Sequence, residues 1–243
     1  MRDLYWSGGY NIRDLGVLPT AGGGRTVAGR IVRSATLDRL TDAGWAALVA
    51  YGVRTVVDLR NSEESRDLVA ARPGSVRVVH VPVDELAGLD WYEGVRMLDG
   101  TPRIFERYLG DRPEAVAAIV KAVAAADPGG IVVHCASGRD RTGLSSLVLL
   151  ALAGVEPAAI AEDYVLSYER QRAAWAALGM SKYLENLDLI DRMLAEAGVT
   201  AYDAALSVLS GCDIRKVLTL AGVTTAELDA VRARLRGGSR ETG

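Results

Sequence analysis

The segment from Gly129 to Ala153 leaves this chain few ways to fold. It opens as Gly129-Gly130-Ile131-Val132-Val133, crosses His134-Cys135-Ala136-Ser137-Gly138-Arg139-Asp140-Arg141, and resumes as Thr142-Gly143-Leu144. Ile131 to Val133 is apolar at consecutive positions, which suits a strand covered on both faces. Thr142 to Ala153 is apolar on nearly all sides and predicts a central helix. A buried strand joined to a buried helix by a short polar loop calls for a sheet with helices packed on it.

The remaining pattern agrees. Thr41-Asp42 starts a helix that Gly52 ends, and Val53 to Leu59 follows as a strand. Val76 to Val83 alternates as a second strand, terminated by Pro82. Residues 84–102, acidic and glycine-bearing, read as a long loop. Helices are predicted over Ile104–Leu109, Pro113–Ala126, Pro157–Ala177, Ser181–Ala197, Ile214–Ala221 and Ala226–Leu235. The expected fold is α/β: a central, mostly parallel sheet flanked by helices, with extra C-terminal helices. One domain spans 1–243. It comprises a loop-rich 1–40, an α/β core at 41–155 with its loop at 134–143, a helical 156–236, and a tail at 237–243 expected to fray.

Bulk properties exclude several classes. The net charge of −3 gives no footprint for nucleic acid or an anionic membrane. Two cysteines, Cys135 and Cys212, make no disulfide framework, and two histidines, His80 and His134, make no zinc site. No metal and no cofactor are expected. The N-terminus lacks a signal peptide's apolar run, and Leu147–Ala153 is too short to span a bilayer, so a cytoplasmic location without membrane insertion is expected. Nothing in the sequence reports oligomeric state.

The loop's chemistry is specific. A cysteine six residues before an arginine, with a glycine between, can curl so that its backbone N–H groups converge on one anion. The following helix adds free N–H groups and its positive dipole end. Arg141 can hold two phosphate oxygens with its planar fork, and Gly138 supplies the backbone freedom. The same environment favours negative charge at Cys135, and thiolate is the nucleophile that phosphoryl transfer uses. Ala136, Ser137, Gly138, Arg139 and Thr142 complete the expected phosphate cradle.

His134-Cys135, five residues, then Arg141-Thr142-Gly143 resembles the active-site loop of the protein tyrosine phosphatase superfamily. Within it, the chain resembles the bacterial tyrosine phosphatase-like family of mycobacterial, dual-specificity and phosphoinositide-directed type. Further matching stretches are Asn11-Ile12-Arg13-Asp14-Leu15-Gly16, Gly29–Ala35, Val56-Val57-Asp58-Leu59-Arg60 and Glu162-Asp163-Tyr164. The resemblance implies a phosphomonoester substrate, either a phosphoprotein or a small molecule. It implies that Cys135 attacks phosphorus, Arg141 clamps the phosphoryl oxygens and Thr142 hydrogen-bonds the sulfur. It also implies that Asp140 is the general acid, in a loop where the family commonly reads Lys-Asp-Arg and this chain has Arg139-Asp140-Arg141. The family's two-helix lid would fall between Asp84 and Pro113, where this chain is too short for it.

Alternatives stand beside these assignments. Asp84, just after a strand, competes as the acid, with Asp90 and Asp99 on the same candidate loop. His134 reads as a buried histidine shaping the loop, and Arg60 as either a substrate contact or a structural salt bridge. Asn11, Arg13 and Asp14 read as a polar cluster bracing the site. A rhodanese-like sulfurtransferase, an arsenate reductase or a non-catalytic phosphate-binding module would share parts of this pattern.

Overall fold

The computed structural model describes residues 2–65 and 72–237. The tail expected to fray lies, beyond Gly237, outside those residues. Among the described residues one sheet forms from β1 (Arg13–Asp14), β2 (Ile31–Ser34), β3 (Val53–Asp58), β4 (Arg77–His80) and β5 (Gly130–His134). Its spatial order is β1-β2-β5-β3-β4, with β1 antiparallel to β2 and every other neighbour parallel. The fold is therefore α/β, a mostly parallel sheet flanked by helices.

β5 occupies the middle, and all five of its residues are buried. Period-two alternation explains how it serves two cores. Val132 points with Val32 and Val56 into a cluster closed by Trp6, Trp45 and Leu48. Ile131 and Val133 point the other way with Ile31 and Val57, into the larger core built by the later helices. The helix α1 (Asp42–Ala50), capped by Thr41 accepting from Gly44 N–H, covers the first face. β4 is shorter than the predicted 76–83: at the sheet edge it pairs with β3 alone, and that pairing runs from Thr55 opposite Arg77 to Asp58 opposite His80, where β3 ends.

Residues 84–102 are not the long loop that their composition predicts. They fold as α2 (Val83–Ala87), α3 (Leu89–Val95) and a single 3₁₀ turn at Arg96–Leu98. Each helix is too short to show periodicity, and Gly88, with φ +93°, separates them in the left-handed region that favours glycine. Val83, Ala87 and Val95 anchor the segment in the large core.

Next come α4 (Arg103–Asp111), α5 (Pro113–Ala124) and α6 (Asp140–Leu152). α6 is central: from Thr142 to Leu152 every residue is buried except Ala151. The C-terminal part is α7 (Pro157–Ala177), α8 (Ser181–Glu196), α9 (Ala201–Gly211), α10 (Ile214–Leu220) and α11 (Thr225–Arg236). The periodic pattern does not single out α9, yet Thr200 and Asp203 form a capping box at its start, a signal present in the sequence.

Leu149, fully buried in α6, tests this core. Leu149→Ala is expected to lower unfolding free energy by about 2–5 kcal/mol, read as a reduced midpoint in urea denaturation.

Candidate active site

β5 delivers Cys135 to the carboxyl edge of the sheet, and α6 begins five residues later at Asp140. Cys135 is 1% exposed. The intervening loop is shaped by donors that hold its carbonyl groups outward. Ala136 O accepts from Thr36 N at 3.0 Å and from the Tyr10 hydroxyl at 3.5 Å. Ser137 O accepts from Gln171 Nε2 at 2.7 Å and Asn11 Nδ2 at 3.3 Å. Gly138 O accepts from Arg33 Nη2 at 2.9 Å and Asn11 Nδ2 at 3.1 Å. In a planar trans peptide the N–H opposes the C=O, so the N–H groups of Ser137, Gly138 and Arg139 turn inward. Gly138 N–H indeed donates to Cys135 Sγ at 3.3 Å.

Gly138 cannot be replaced at this turn. Its φ is +73°, and a Cβ there would lie 2.6 Å from Ala35 N and 2.7 Å from the Ser34 carbonyl.

The donors that brace the loop are themselves fixed by a buried ionic cluster. Asp163 of α7 pairs with Arg13 Nε at 3.0 Å, Arg33 Nη1 at 2.7 Å and Arg2 Nη1 at 2.6 Å. Ser167 Oγ, one turn along α7, accepts from Arg13 at 2.8 Å and Arg33 at 2.9 Å. Arg13 also donates to Asn11 Oδ1 at 2.6 Å, orienting the amide that reaches the loop. Burial opposes ionisation of Asp163, but the three guanidiniums outweigh it and hold the carboxyl far below its usual range. Burial and the neighbouring Arg33 lower Arg13 to about 9, against the pull of Asp163. Asp14, in the same stretch, accepts instead from Gly29 N–H at 2.6 Å and braces the N-terminal turns.

A narrow cavity lies over the loop. Cys135, Ser137, Asp140, Arg141 and Leu144 form its floor side, and Asp84, Tyr92, Asp99, Ile104, Phe105 and Tyr108 form its walls. Asp84, Tyr92 and Asp99 come from the 83–102 segment, whose helical fold makes the site narrower than a long loop there suggests. Arg141 meets Glu64 through both Nη atoms, at 2.6 and 3.0 Å, and Asp84 at 3.2 Å. Burial works against this guanidinium's charge, but Glu64, Cys135 and Asp84 hold its pKa well up. Burial likewise opposes ionisation of Glu64, and its pair with Arg141 overrides this and keeps the carboxyl below its ordinary range. Burial raises Asp84, with Arg141 and the Tyr108 hydroxyl, donating at 2.6 Å, offsetting part of the rise.

The other expected residues stand behind or beside the cavity. Arg139 is 3% exposed, lies 5.0 Å from the Tyr168 ring centroid, and pairs with Asp140 at 3.1 Å. Thr142 sits beneath the loop with its hydroxyl toward Ser34 O at 3.5 Å; the hydrogen bond to sulfur comes from Gly138 instead. Arg60 is held by Asp58 and Asp38, which makes it a structural bridge and takes it out of the cavity lining. His134 is fully buried, with Nδ1 3.2 Å from Cys135 O, and burial lowers its pKa. Asp90 does not line the cavity.

Four participants receive no role in the sequence reading. Glu64 lies in a turn with no periodic signal. Asp163, Ser167 and Gln171 recur every four residues, which does place them on one face of α7. Such a polar stripe reads as a solvated face, whereas here it is buried.

A model of the tyrosine phosphatase family matches residues 4–237. A tyrosine-protein phosphatase of Nostoc commune is 34% identical over 147 residues, covering 58% of this chain and 49% of the relative. A putative tyrosine-protein phosphatase of Cupriavidus necator is 33% identical, covering 66% of this chain and 61% of the relative. A triple specificity protein phosphatase of Mycobacterium tuberculosis is 28% identical, covering 66% of this chain and 67% of the relative. The chain thus spans about half to two thirds of the length of these relatives.

Removing the centre of the ionic cluster gives the test of how the loop is held. Asp163→Asn is expected to cost about 3–5 kcal/mol at pH 7, because it strands buried guanidiniums. Asp163 has a depressed folded pKa, so its contribution is complete above the unfolded value of about 3.9 and fades as pH falls below it. Urea denaturation should therefore show the gap between wild type and variant narrowing below about pH 4.

Proposed function

The chain belongs to the tyrosine phosphatase family, and we propose that it hydrolyses phosphomonoesters through a thiophosphoryl intermediate on Cys135. The observation that carries this reading is the convergence of Cys135, Ser137 and Arg141 on one cavity, with Gly138 N–H donating to Cys135 Sγ. The substrate phosphoryl group rests on those N–H groups and on Arg141, which exchanges part of its contact with Glu64 for phosphate oxygens. Sγ attacks phosphorus, the S–P bond forms and the P–O bond to the leaving group breaks. The departing oxygen takes a proton from Asp140, at the first position of α6. Water then attacks phosphorus, the S–P bond breaks, and Asp140 takes the water's proton, releasing inorganic phosphate and thiolate. The loop acts as an oxyanion site throughout, with donors fixed before the reaction begins.

Tyr92, Ile104, Phe105 and Tyr108 give the cavity an aromatic and apolar wall, which suits an aryl ester better than a sugar phosphate. We therefore assign phosphotyrosine as the preferred class. Comparing phosphotyrosine and phosphoserine peptides, phosphoinositides and sugar phosphates as substrates tests the assignment; a preference for sugar phosphates would overturn it.

Cys135→Ser is expected to abolish turnover of p-nitrophenyl phosphate while retaining vanadate or phosphate binding, measured by calorimetry. The binding groups are backbone N–H and Arg141, which the substitution leaves in place. Retention of more than a trace of activity would rule out the covalent route.

A further inference from the structure

Three aspartates, Asp84, Asp99 and Asp140, line the cavity that holds Cys135. Two of them face an arginine: Asp84 meets Arg141 at 3.2 Å and Asp140 meets Arg139 at 3.1 Å. Among the described residues no arginine or lysine pairs with Asp99. Its side-chain partner is the Tyr92 hydroxyl, which donates to Oδ2 at 2.5 Å and leaves Oδ1 free for a proton. Asp99 and Asp140 line one small cavity with Asp84, and carboxyl groups so confined cannot all ionise cheaply; the pair without a second arginine divides a proton. The arginine beside Asp140 decides where that proton rests.

We propose that the proton-donating unit of this site is the pair Asp99–Asp140, with the proton held on Asp99 while Asp140 stays paired to Arg139. This rests on the phosphatase reading above and deepens it, adding Asp99 to the groups that handle the leaving-group proton. In the first step Asp140 delivers the pair's one proton, drawn from Asp99, to the departing oxygen as the S–P bond forms, leaving both carboxylates charged. In the second, the pair takes one proton from the attacking water as the S–P bond breaks, and the resting state returns. The balance needs no further reactant.

The groups facing Asp99 act consistently with this. Burial is the largest influence on its carboxyl and the charge of Asp140 the second; Asp84 adds to both, while Tyr92 and Arg141 oppose them. The outcome is a carboxyl pushed up to about 6, high enough to keep its proton in mildly acidic solution. Asp99 is positioned by the turn at Arg96–Leu98, and Asp99 N–H donates to Arg96 O at 2.9 Å.

The experiment compares wild type, Asp99→Asn and Tyr92→Phe on phenyl phosphate and p-nitrophenyl phosphate across pH. Asp99→Asn should slow phenyl phosphate, whose leaving group needs the proton, by roughly 10²-fold or more, and p-nitrophenyl phosphate far less. It should also remove the enzyme's own contribution to the fall of kcat/KM above about pH 6. Tyr92→Phe takes away a donor that favours the ionised carboxyl, so this limb should move to higher pH. The substrates' own ionisation is the same for all three proteins and cancels in the comparison. An unchanged leaving-group sensitivity in Asp99→Asn, with vanadate binding intact, would overturn the proposal. If Asp99→Asn does not fold, an unshifted limb in Tyr92→Phe overturns it alone. Neither result would touch the role of Cys135, which Cys135→Ser decides separately.

Discussion

The buried contact between Asp163 and the guanidiniums of Arg2, Arg13 and Arg33 is the constraint on which the site depends. It joins the N-terminal segment, β2 and α7 at one point directly behind the phosphate loop. Desolvating these charges is expensive, and only close pairing makes it tolerable. The return is geometric. Arg33 and, through Arg13, Asn11 are fixed so that their remaining donors reach Ser137 O and Gly138 O. One carboxylate among three cations also leaves the back of the loop net positive. That field adds to the N-terminal dipole of α6, and both favour negative charge in the cavity over the loop.

On the open side of the loop the balance is reversed. Glu64, Asp84, Asp99 and Asp140 bring carboxyl groups toward Arg139 and Arg141. Arg141 is held by Glu64 and Asp84, which orients its fork at no cost of an unpaired buried charge. In the proposed mechanism a phosphate dianion competes with those acids, so affinity is given up for positioning and proton handling. With cations behind the loop and acids before it, the proposed mechanism has one cavity that binds an anion and keeps a proton within reach of it.

Much of the fold was legible because its signals are local. The apolar run 131–133, the all-round apolar helix after it and Pro113 or Pro157 at helix starts each report burial or termination directly. Where sequence reading failed, the determinant was short or non-local. α2 and α3 have too few turns to display a period, and their stability comes from Val83, Ala87 and Val95 reaching the core. β4 stops at His80, opposite Asp58 where its partner β3 ends, which no strand pattern of its own encodes.

The site divides along the same line. Cysteine, glycine and arginine at fixed spacing between a strand and a helix determine an anion cradle, since backbone geometry over so few residues has little freedom. Gly138 follows from the sequence for that reason. What the sequence could not decide is which side chains the fold brings around the cradle. Asp163 and Gln171 are distant from the loop in sequence and brace it only because α7 packs against β2 and the N-terminal turns. Asp99 reaches the cavity and Glu64 reaches Arg141 from turns without periodicity, and Arg60 is diverted from the cavity by Asp38. Local covalent spacing thus determined the chemistry, while the packing of distant elements decided the electrostatics that govern it.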